Sequence, residues 1–153
     1  MRKLLVTVIL AAVSSSLFAH SDKTQKHPPT LSGSETAPGQ VVLSFHEALR
    51  EQNEIAAKSL LSKNVTIVEG GGIERSAQEY ASHHMLSDMK FVSTLSSELL
   101  EHRVTEYRDS ATSLLISVNT TEAGKTYRSL ETAILTKRDG EWKIAHLHWS
   151  TAM

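Results

Sequence analysis

The sequence predicts an α+β domain in which helices cover one face of a curved antiparallel sheet. Between Ala37 and about Met89, apolar residues recur mainly at the helical spacing, with one short strand among them. From Phe91 onward, four segments of strand character are separated by turn-forming residues. Helices and strands that are segregated along the chain are typical of α+β folds, and 153 residues suffice for one such domain.

Residues 1–19 have the features of a secretory signal peptide. Arg2 and Lys3 give a positive start, residues 4–13 form an apolar run, and small residues lead to Ala19. The run is too short to cross a bilayer, which takes about 20 apolar residues. We therefore expect a secreted or periplasmic protein, cleaved after Ala19 or nearer Ser16, with no membrane attachment afterwards.

The segment that follows, residues 20–36, is polar and contains a Pro-Pro pair. Such a composition cannot bury enough apolar surface to offset the entropy lost on ordering. We predict a disordered leader there and one folded domain over residues 37–153.

Three helices are predicted before the long strands. They span residues 37–52, 54–61 and 76–89, with a short strand at 65–69. Pro38 suits a first helical turn, where its missing N–H costs nothing. Asn53 is a suitable N-cap for the second helix, and Ser76 with Glu79 forms a capping box that opens the third.

Four strands are predicted in the second half of the chain. They span residues 91–107, 111–121, 125–137 and 141–150. Asp139-Gly140 is a strong two-residue hairpin turn, and Ala123-Gly124 is the equivalent pair in the preceding hairpin. If both close tight hairpins, Glu131 lies opposite His148 and beside Ile116.

Alternation along these strands then assigns side chains to two faces. The face beneath the helices carries Leu114, Ile116, Val118, Ala133, Leu135, Trp142 and Ile144, with Glu131, His146 and His148 among them. The opposite face includes Leu115, Leu130, Leu147 and Trp149. This second face is too apolar for solvent alone, so a homodimer through the sheet is expected.

The last strand, Trp142-Lys143-Ile144-Ala145-His146-Leu147-His148-Trp149-Ser150, resembles the closing strand of the SnoaL-like (nuclear-transport-factor-2-like) superfamily. It is also similar to the association domain of calcium/calmodulin-dependent kinase II. The resemblance extends over residues 37–151. It implies a cone-shaped sheet with three N-terminal helices on its concave face, a conical pocket between them, and usually a dimer through the sheet.

The resemblance implies no single chemistry, because superfamily members include isomerases, dehydratases, ligand-binding modules and assembly domains. The Asp/Tyr acid–base set of the ketosteroid isomerase relatives cannot be matched here residue by residue. The functional residues must therefore be sought in this chain itself.

Glu131 and His148 are the predicted catalytic pair. A carboxylate opposite an imidazole on an apolar face can fix the ring tautomer and serve in acid–base chemistry. The alternative is a buried ion pair with a structural role only. Glu69, which shares the parity of Val65 and Ile67, is expected at the mouth of the pocket.

A metal site is a further possibility. If His84 on the third helix meets His146 and His148, three imidazoles and a carboxylate would suit zinc or copper. The alternative is that His84 lies on the helix surface. The remaining predicted pocket residues are Glu69, Tyr80, Leu114, Ile116, Trp142 and Ile144.

The amino-acid composition argues against several classes of function. A net charge of −1 without a basic cluster argues against a nucleic-acid partner, and the lack of cysteine excludes disulfides. Residues 70–72 are glycines without the Lys-Ser/Thr of a phosphate loop, so no nucleotide or flavin is expected. A module that binds a small molecule or metal remains possible, as does a small isomerase, dehydratase or hydrolase. The lack of a nucleophile motif favours the binding module.

Overall fold

The computed structural model describes residues 28–152. The expected signal peptide and the first part of the expected leader lie outside the described residues. The helices are α1 (Ala37–Arg50), α2 (Glu54–Leu60), α3 (Ala77–His83) and α4 (Met85–Val92). The strands are β1 (Thr30–Ser32), β2 (Leu61–Glu69), β3 (Gly72–Glu74), β4 (Ser96–Glu106), β5 (Ser110–Thr120), β6 (Thr126–Arg138) and β7 (Glu141–Ala152).

The strands form one curved, open sheet in the order β1-β4-β5-β6-β7-β2-β3, and the helices pack on its concave face. The predicted α+β cone fold is therefore confirmed. The sheet is mixed rather than purely antiparallel, since β1 runs parallel to β4 and β2 runs parallel to β7. None of the helices between residues 28 and 152 is long and apolar enough to cross a membrane.

Helix α1 packs against β4, β5 and β7. Thr36 is its N-cap, and the Thr36 side chain accepts a hydrogen bond from the Gly39 backbone N–H. Val42, Phe45 and Leu49 are almost fully buried on one side of the helix. This stripe packs against the sheet. Helix α1 therefore forms one wall of the space between the helices and the sheet.

The third predicted helix is divided into α3 and α4. Ser76 caps α3 as expected, with its Oγ accepting from the Glu79 N–H at 3.0 Å. Tyr80 on α3 and Met85 on α4 are both completely buried. Residues five apart would lie on different sides of a straight helix, so the break at His84 lets both face the core. Helix α4 then continues to Val92, where the sequence predicted the start of a long strand.

Residues 30–32, which were expected to belong to a disordered leader, form β1 against the edge strand β4. The turn that follows is tightly packed. Gly33 has a φ of +73°, and a Cβ there would come within 2.5 Å of the Val104 carbonyl oxygen. This close approach fixes the start of the domain to β4.

The β6–β7 hairpin departs from the predicted register partway along. Near the Asp139-Gly140 turn the pairing is as expected, with Leu135 opposite Ile144. Ala145 is then an extra residue in β7, and beyond this bulge Glu131 lies opposite Trp149. The predicted pairing of Glu131 with His148 is therefore wrong.

The β5–β6 pairing is also shifted by one residue. Glu131 lies opposite Leu115 rather than beside Ile116. The cause is a longer turn, in which the Thr121 N–H donates to the Lys125 carbonyl at 2.9 Å. A two-residue turn would have been needed to produce the predicted register.

These two shifts exchange several side chains between the faces of the sheet. Leu114, Ile116, His146 and His148 lie on the outer face, away from the helices. Leu115, Leu147 and Trp149, which were expected on the outer face, lie on the inner face instead. Ile144 and Trp142 precede the bulge and are on the inner face as predicted.

Candidate functional site

A cavity of about 340 Å³ lies between the inner face of the sheet and helices α1 and α4. The helix side of its wall contains apolar side chains such as Leu43 and Val92, together with His46, Glu47, Arg50 and Asp88. Phe91 and Glu69 are exposed at its rim. The sheet contributes Glu131 and several smaller polar side chains.

Aligned residues on β4 to β7 form three rows across the inner face. The innermost row is His102, Leu115, Glu131 and Trp149. The second is Leu99, Ser117, Ser129 and Thr151, and the third is Ser97, Asn119 and Tyr127. All of these except His102 line the cavity. The small serine side chains of the second row leave the space that the cavity occupies.

Glu131 is the central polar group of the innermost row. It is only 2 % exposed, and its Oε2 accepts a hydrogen bond from Trp149 Nε1 at 2.5 Å. His46 Nε2 on α1 lies 2.8 Å from the same oxygen. Oε1 of Glu131 has no hydrogen-bond partner among the described residues. The site thus contains a buried carboxylate oxygen without a hydrogen-bond partner.

The Glu131 carboxylate also alters the ionisation of His46. Burial disfavours the charged imidazole, but the negative charge of Glu131 and a hydrogen bond to it favour the charged form more strongly. The pKa of His46 is therefore raised above its ordinary value. His46 and Glu131 consequently form an ion pair when the imidazole is protonated.

His102 is a second histidine near Glu131. It is fully buried, and its Nε2 lies 3.1 Å from Ser113 Oγ, while Nδ1 has no partner among the described residues. Burial lowers the pKa of His102 even though Glu131 acts in the opposite direction. The pKa values of these two histidines near Glu131 are thus shifted in opposite directions.

No role was predicted for His46 or His102 from the sequence. A signal for His46 was present, because it follows Val42 by four residues and precedes Leu49 by three, within the buried stripe of α1. His102 could not be placed from the sequence. The face of the sheet on which the His102 side chain lies depends on where β4 begins and on a register irregularity between Leu99 and Glu101.

A second polar group lies where the rim of the cavity meets α3 and α4. Tyr80 Oη donates a hydrogen bond of 2.9 Å to Asp88 Oδ2. Partial burial raises the pKa of Asp88, against the effect of this hydrogen bond. Partial burial, followed by the charges of Asp88 and Glu74, raises the pKa of Glu69 to about 7. Because Glu69 is exposed on one side, it can exchange protons with solvent near neutral pH.

Trp149 connects the two polar groups. Its ring is stacked on Phe45 with centroids 6.2 Å apart, and it lies 6.4 Å from the ring of Tyr80. Its indole N–H is committed to Glu131. Trp149 thus spans the distance from the innermost carboxylate to the Tyr80–Asp88 pair.

The predicted metal ligands do not come together. His146 and His148 are on the outer face, and His84 contacts Glu74 Oε1 through Nδ1 with most of its side chain exposed. Within residues 28–152, no group of three or more such ligands has the geometry to hold a metal ion. The position of His84 agrees with the alternative that it lies on the helix surface.

Of the predicted pocket residues, Glu69 and Glu131 line the cavity. Tyr80 is buried behind it and reaches it through Asp88. Trp142 and Ile144 belong to the core and do not line the cavity.

The chain is similar to several proteins of known structure. A protein from Shewanella frigidimarina described as a proposed ketosteroid isomerase shares 43 % identity over 79 % of this chain and 100 % of its own, with a TM-score of 0.77. No match was found among curated proteins.

More distant structures share the fold alone. The association domain of the calcium/calmodulin-dependent kinase II of C. elegans is 16 % identical over 72 % of this chain and 90 % of its own, with a TM-score of 0.60. A proposed dehydratase of the NTF2-like family from Streptomyces avermitilis is also 16 % identical, over 76 % of this chain and 94 % of its own, with a TM-score of 0.63. The model of the SnoaL-like domain matches residues 39–153, and the chain belongs to this family.

Proposed function

We propose that this chain is an exported protein that binds one small, mostly apolar organic molecule in the cavity and holds it through a hydrogen bond to Glu131. The observation that carries this proposal is the free Oε1 of Glu131 on a residue that is 2 % exposed. A buried acceptor without a partner costs on the order of 1–3 kcal/mol. A ligand N–H or O–H would remove that cost.

The dimensions of the cavity support the proposal. Pockets for small molecules measure roughly 300–1,000 Å³ and are mostly apolar, with a few polar groups that orient the ligand. The observed cavity, about 340 Å³, lies at the lower end of that range. It would hold a molecule of one or two rings.

A matched pair of probes tests the role of Glu131. We expect 2-naphthol, which carries a donor, to bind more tightly than 2-methoxynaphthalene, which does not. Glu131→Gln should reduce this preference, because a neutral amide oxygen is a weaker acceptor than a carboxylate. His148→Gln on the outer face is the control. Equal affinities of the two probes for the unmodified protein, measured by calorimetry, would contradict the role given to Glu131.

A second candidate function is acid–base catalysis on the bound molecule. The specific support is Glu69, whose pKa of about 7 suits proton transfer at neutral pH. The description of the Shewanella frigidimarina relative as a proposed ketosteroid isomerase points in the same direction. Glu69 would remove a proton from a carbon next to a carbonyl group, and the base would be active above its pKa.

Deuterium exchange into 2-tetralone tests this candidate. We expect the rate to rise with pH through about 7 and to be lost in Glu69→Gln. Asp88→Asn should shift the profile to lower pH, because removing the charge of Asp88 lowers the pKa of Glu69. Glu122→Gln, at an exposed turn position, is the control. Exchange that persists in Glu69→Gln would rule out this role.

Export remains a proposal that rests on Arg2, Lys3 and the apolar run at residues 4–13. The intact mass of protein recovered outside the cytoplasm tests it. We expect a mass that lacks about the first 19 residues. A mass that includes Met1 would contradict export by this route.

We also propose a homodimer through the outer face of the sheet. The apolar residues of this face are Leu114, Ile116, Val118, Leu130 and Ile134, all of them partly accessible. A fold neighbour described as an association domain supports the proposal. Leu130→Glu should halve the mass measured by light scattering, while Ile55→Glu on exposed α2 should not. An unchanged mass in Leu130→Glu, with the fold intact, would place any interface elsewhere.

A further inference from the structure

The carboxylates that line the cavity outnumber its cationic side chains. If the proposed binding function holds, this excess of negative charge restricts the class of ligand that the cavity can bind. The carboxylates of the lining are Glu47, Glu69, Asp88 and Glu131. Its cationic side chains are Arg50 and, when protonated, His46. Negative charge is therefore in excess.

The available cations are already engaged. Arg50 Nη1 lies 2.5 Å from Glu47 Oε2, one turn away on α1. His46 lies 2.8 Å from Glu131. Among the described residues, no lysine or arginine pairs with Glu69 or Asp88.

The nearest groups around Glu69 and Asp88 do not neutralise them. Tyr80 gives Asp88 a neutral donor at 2.9 Å. The imidazole of His84 is close enough to affect both carboxylates, but it is in direct contact with Glu74. The raised pKa values of Glu69 and Asp88 are consistent with partly buried carboxylates that lack a cation.

Aromatic rings occupy the same part of the cavity. Phe91 on α4 is stacked on Tyr127 of β6, with centroids 6.4 Å apart and ring planes 14° apart. Both rings line the cavity together with Trp149. Aromatic faces attract ammonium groups, and this attraction is strongest where water is partly excluded.

Glu131, at the other end of the cavity, gives independent support for a bound ligand. It is 2 % exposed, and its Oε1 has no partner among the described residues. Apolar side chains such as Leu99 and Leu115 lie on the wall of the same cavity. A ligand that fits this arrangement has an apolar body, with a cation at one end and a hydrogen-bond donor at the other.

We propose that the cavity takes an organic cation, an amine on an aromatic-sized apolar body, with its ammonium group between Glu69 and Asp88. A carboxylate or phosphate in the same position would be repelled by both side chains. A neutral molecule of the same shape would leave them without a counter-charge. The choice between an amine, an alcohol and an acid is therefore made by this pair of carboxylates.

Three probes of one shape test the proposal: 2-(2-naphthyl)ethylamine, 2-(2-naphthyl)ethanol and 2-naphthylacetate. Binding to the full mature chain is measured by calorimetry at about pH 8 and low salt, where Glu69 is ionised and the amine is still charged. We expect the amine to bind about tenfold more tightly than the alcohol, which corresponds to one partly screened ion pair. The acid should bind most weakly.

Substitutions in the cavity test where the ammonium group binds. Glu69→Gln and Asp88→Asn should each reduce the preference for the amine over the alcohol, while Glu122→Gln should leave it unchanged. The preference in the unmodified protein should also fall as the pH is lowered through about 7, because Glu69 becomes protonated.

The outcomes separate this proposal from the binding function on which it rests. Equal binding of amine and alcohol would overturn the preference for a cation and leave the binding function standing. A preference for the amine that survives in both Glu69→Gln and Asp88→Asn would overturn the proposed position of the charge. If none of the three probes binds, both proposals fail.

Discussion

The inner and outer faces of β5 to β7 are made from alternating residues of the same segments, yet they differ sharply in chemistry. On the inner face, Glu131 is buried between His46 and Trp149. On the outer face, its chain neighbour Thr132 is exposed opposite the exposed His148. The difference shows that one residue of register decides whether a titratable group faces the core or solvent.

The largest expected difference between the faces concerns leucine. Leu147 is completely buried on the inner face, whereas Leu130 is partly accessible on the outer face. Leu147→Ala should lower the free energy of unfolding by about 2–5 kcal/mol, because it leaves a cavity in the core. Leu130→Ala should cost about 1 kcal/mol or less. Urea unfolding measures both, and similar losses would contradict the assignment of the faces.

The next largest difference concerns the predicted catalytic pair itself. Glu131→Gln should cost about 1–3 kcal/mol, because it removes the charge that His46 and Trp149 both contact in a buried site. His148→Gln should change stability by about 0.5 kcal/mol or less, as expected for an exposed residue. Thermal unfolding at neutral pH compares them. A clear coupling between the two in the double variant would restore the idea that they form a pair.

A smaller effect is expected at His102. Ser113 on the inner face bonds to the buried imidazole, while its neighbour Thr112 is exposed on the outer face. Ser113→Ala should lower the free energy of unfolding by about 1 kcal/mol, because His102 Nε2 loses its partner. Thr112→Ala is the matched control and should be close to neutral. If Thr112→Ala costs as much as Ser113→Ala, the bond to His102 contributes nothing.

The smallest expected effect depends on pH. Because the pKa of His46 is raised in the folded protein, its ion pair contributes stability that is fully present below about pH 6.5. That contribution is lost as the pH rises through the folded-state pKa, and a partly exposed pair is worth up to about 1 kcal/mol. The stability difference between the unmodified protein and His46→Gln should therefore shrink from about pH 6 to about pH 9. A difference that grows with pH would reverse the assigned direction.

Local signals in the sequence predicted much of the fold. The Asp139-Gly140 turn has φ values of +51° and +83°, as a two-residue hairpin of this type requires. The capping role of Ser76 is confirmed by its bond to the Glu79 N–H. In both cases, side chains and backbone within a few residues determine the structure.

The candidate site could not be predicted in the same way. Its composition depends on the bulge at Ala145 and on the longer turn at residues 121–125, and each shifts a register by one residue. Neither feature has a strong local signal. Both follow from packing across the sheet, where Leu147 is buried in the core and Trp149 packs against Phe45 once β7 is displaced.

The edges of the sheet affect how it can pair with other chains. They are formed by β1 and β3, which contain three residues each. A foreign strand that paired with β1 or β3 would find only three residues of backbone on which to align, which limits growth of the sheet from these two strands. For a protein that we propose to be exported, and that has no cysteine with which to form a disulfide, such short outermost strands themselves offer little template for aggregation.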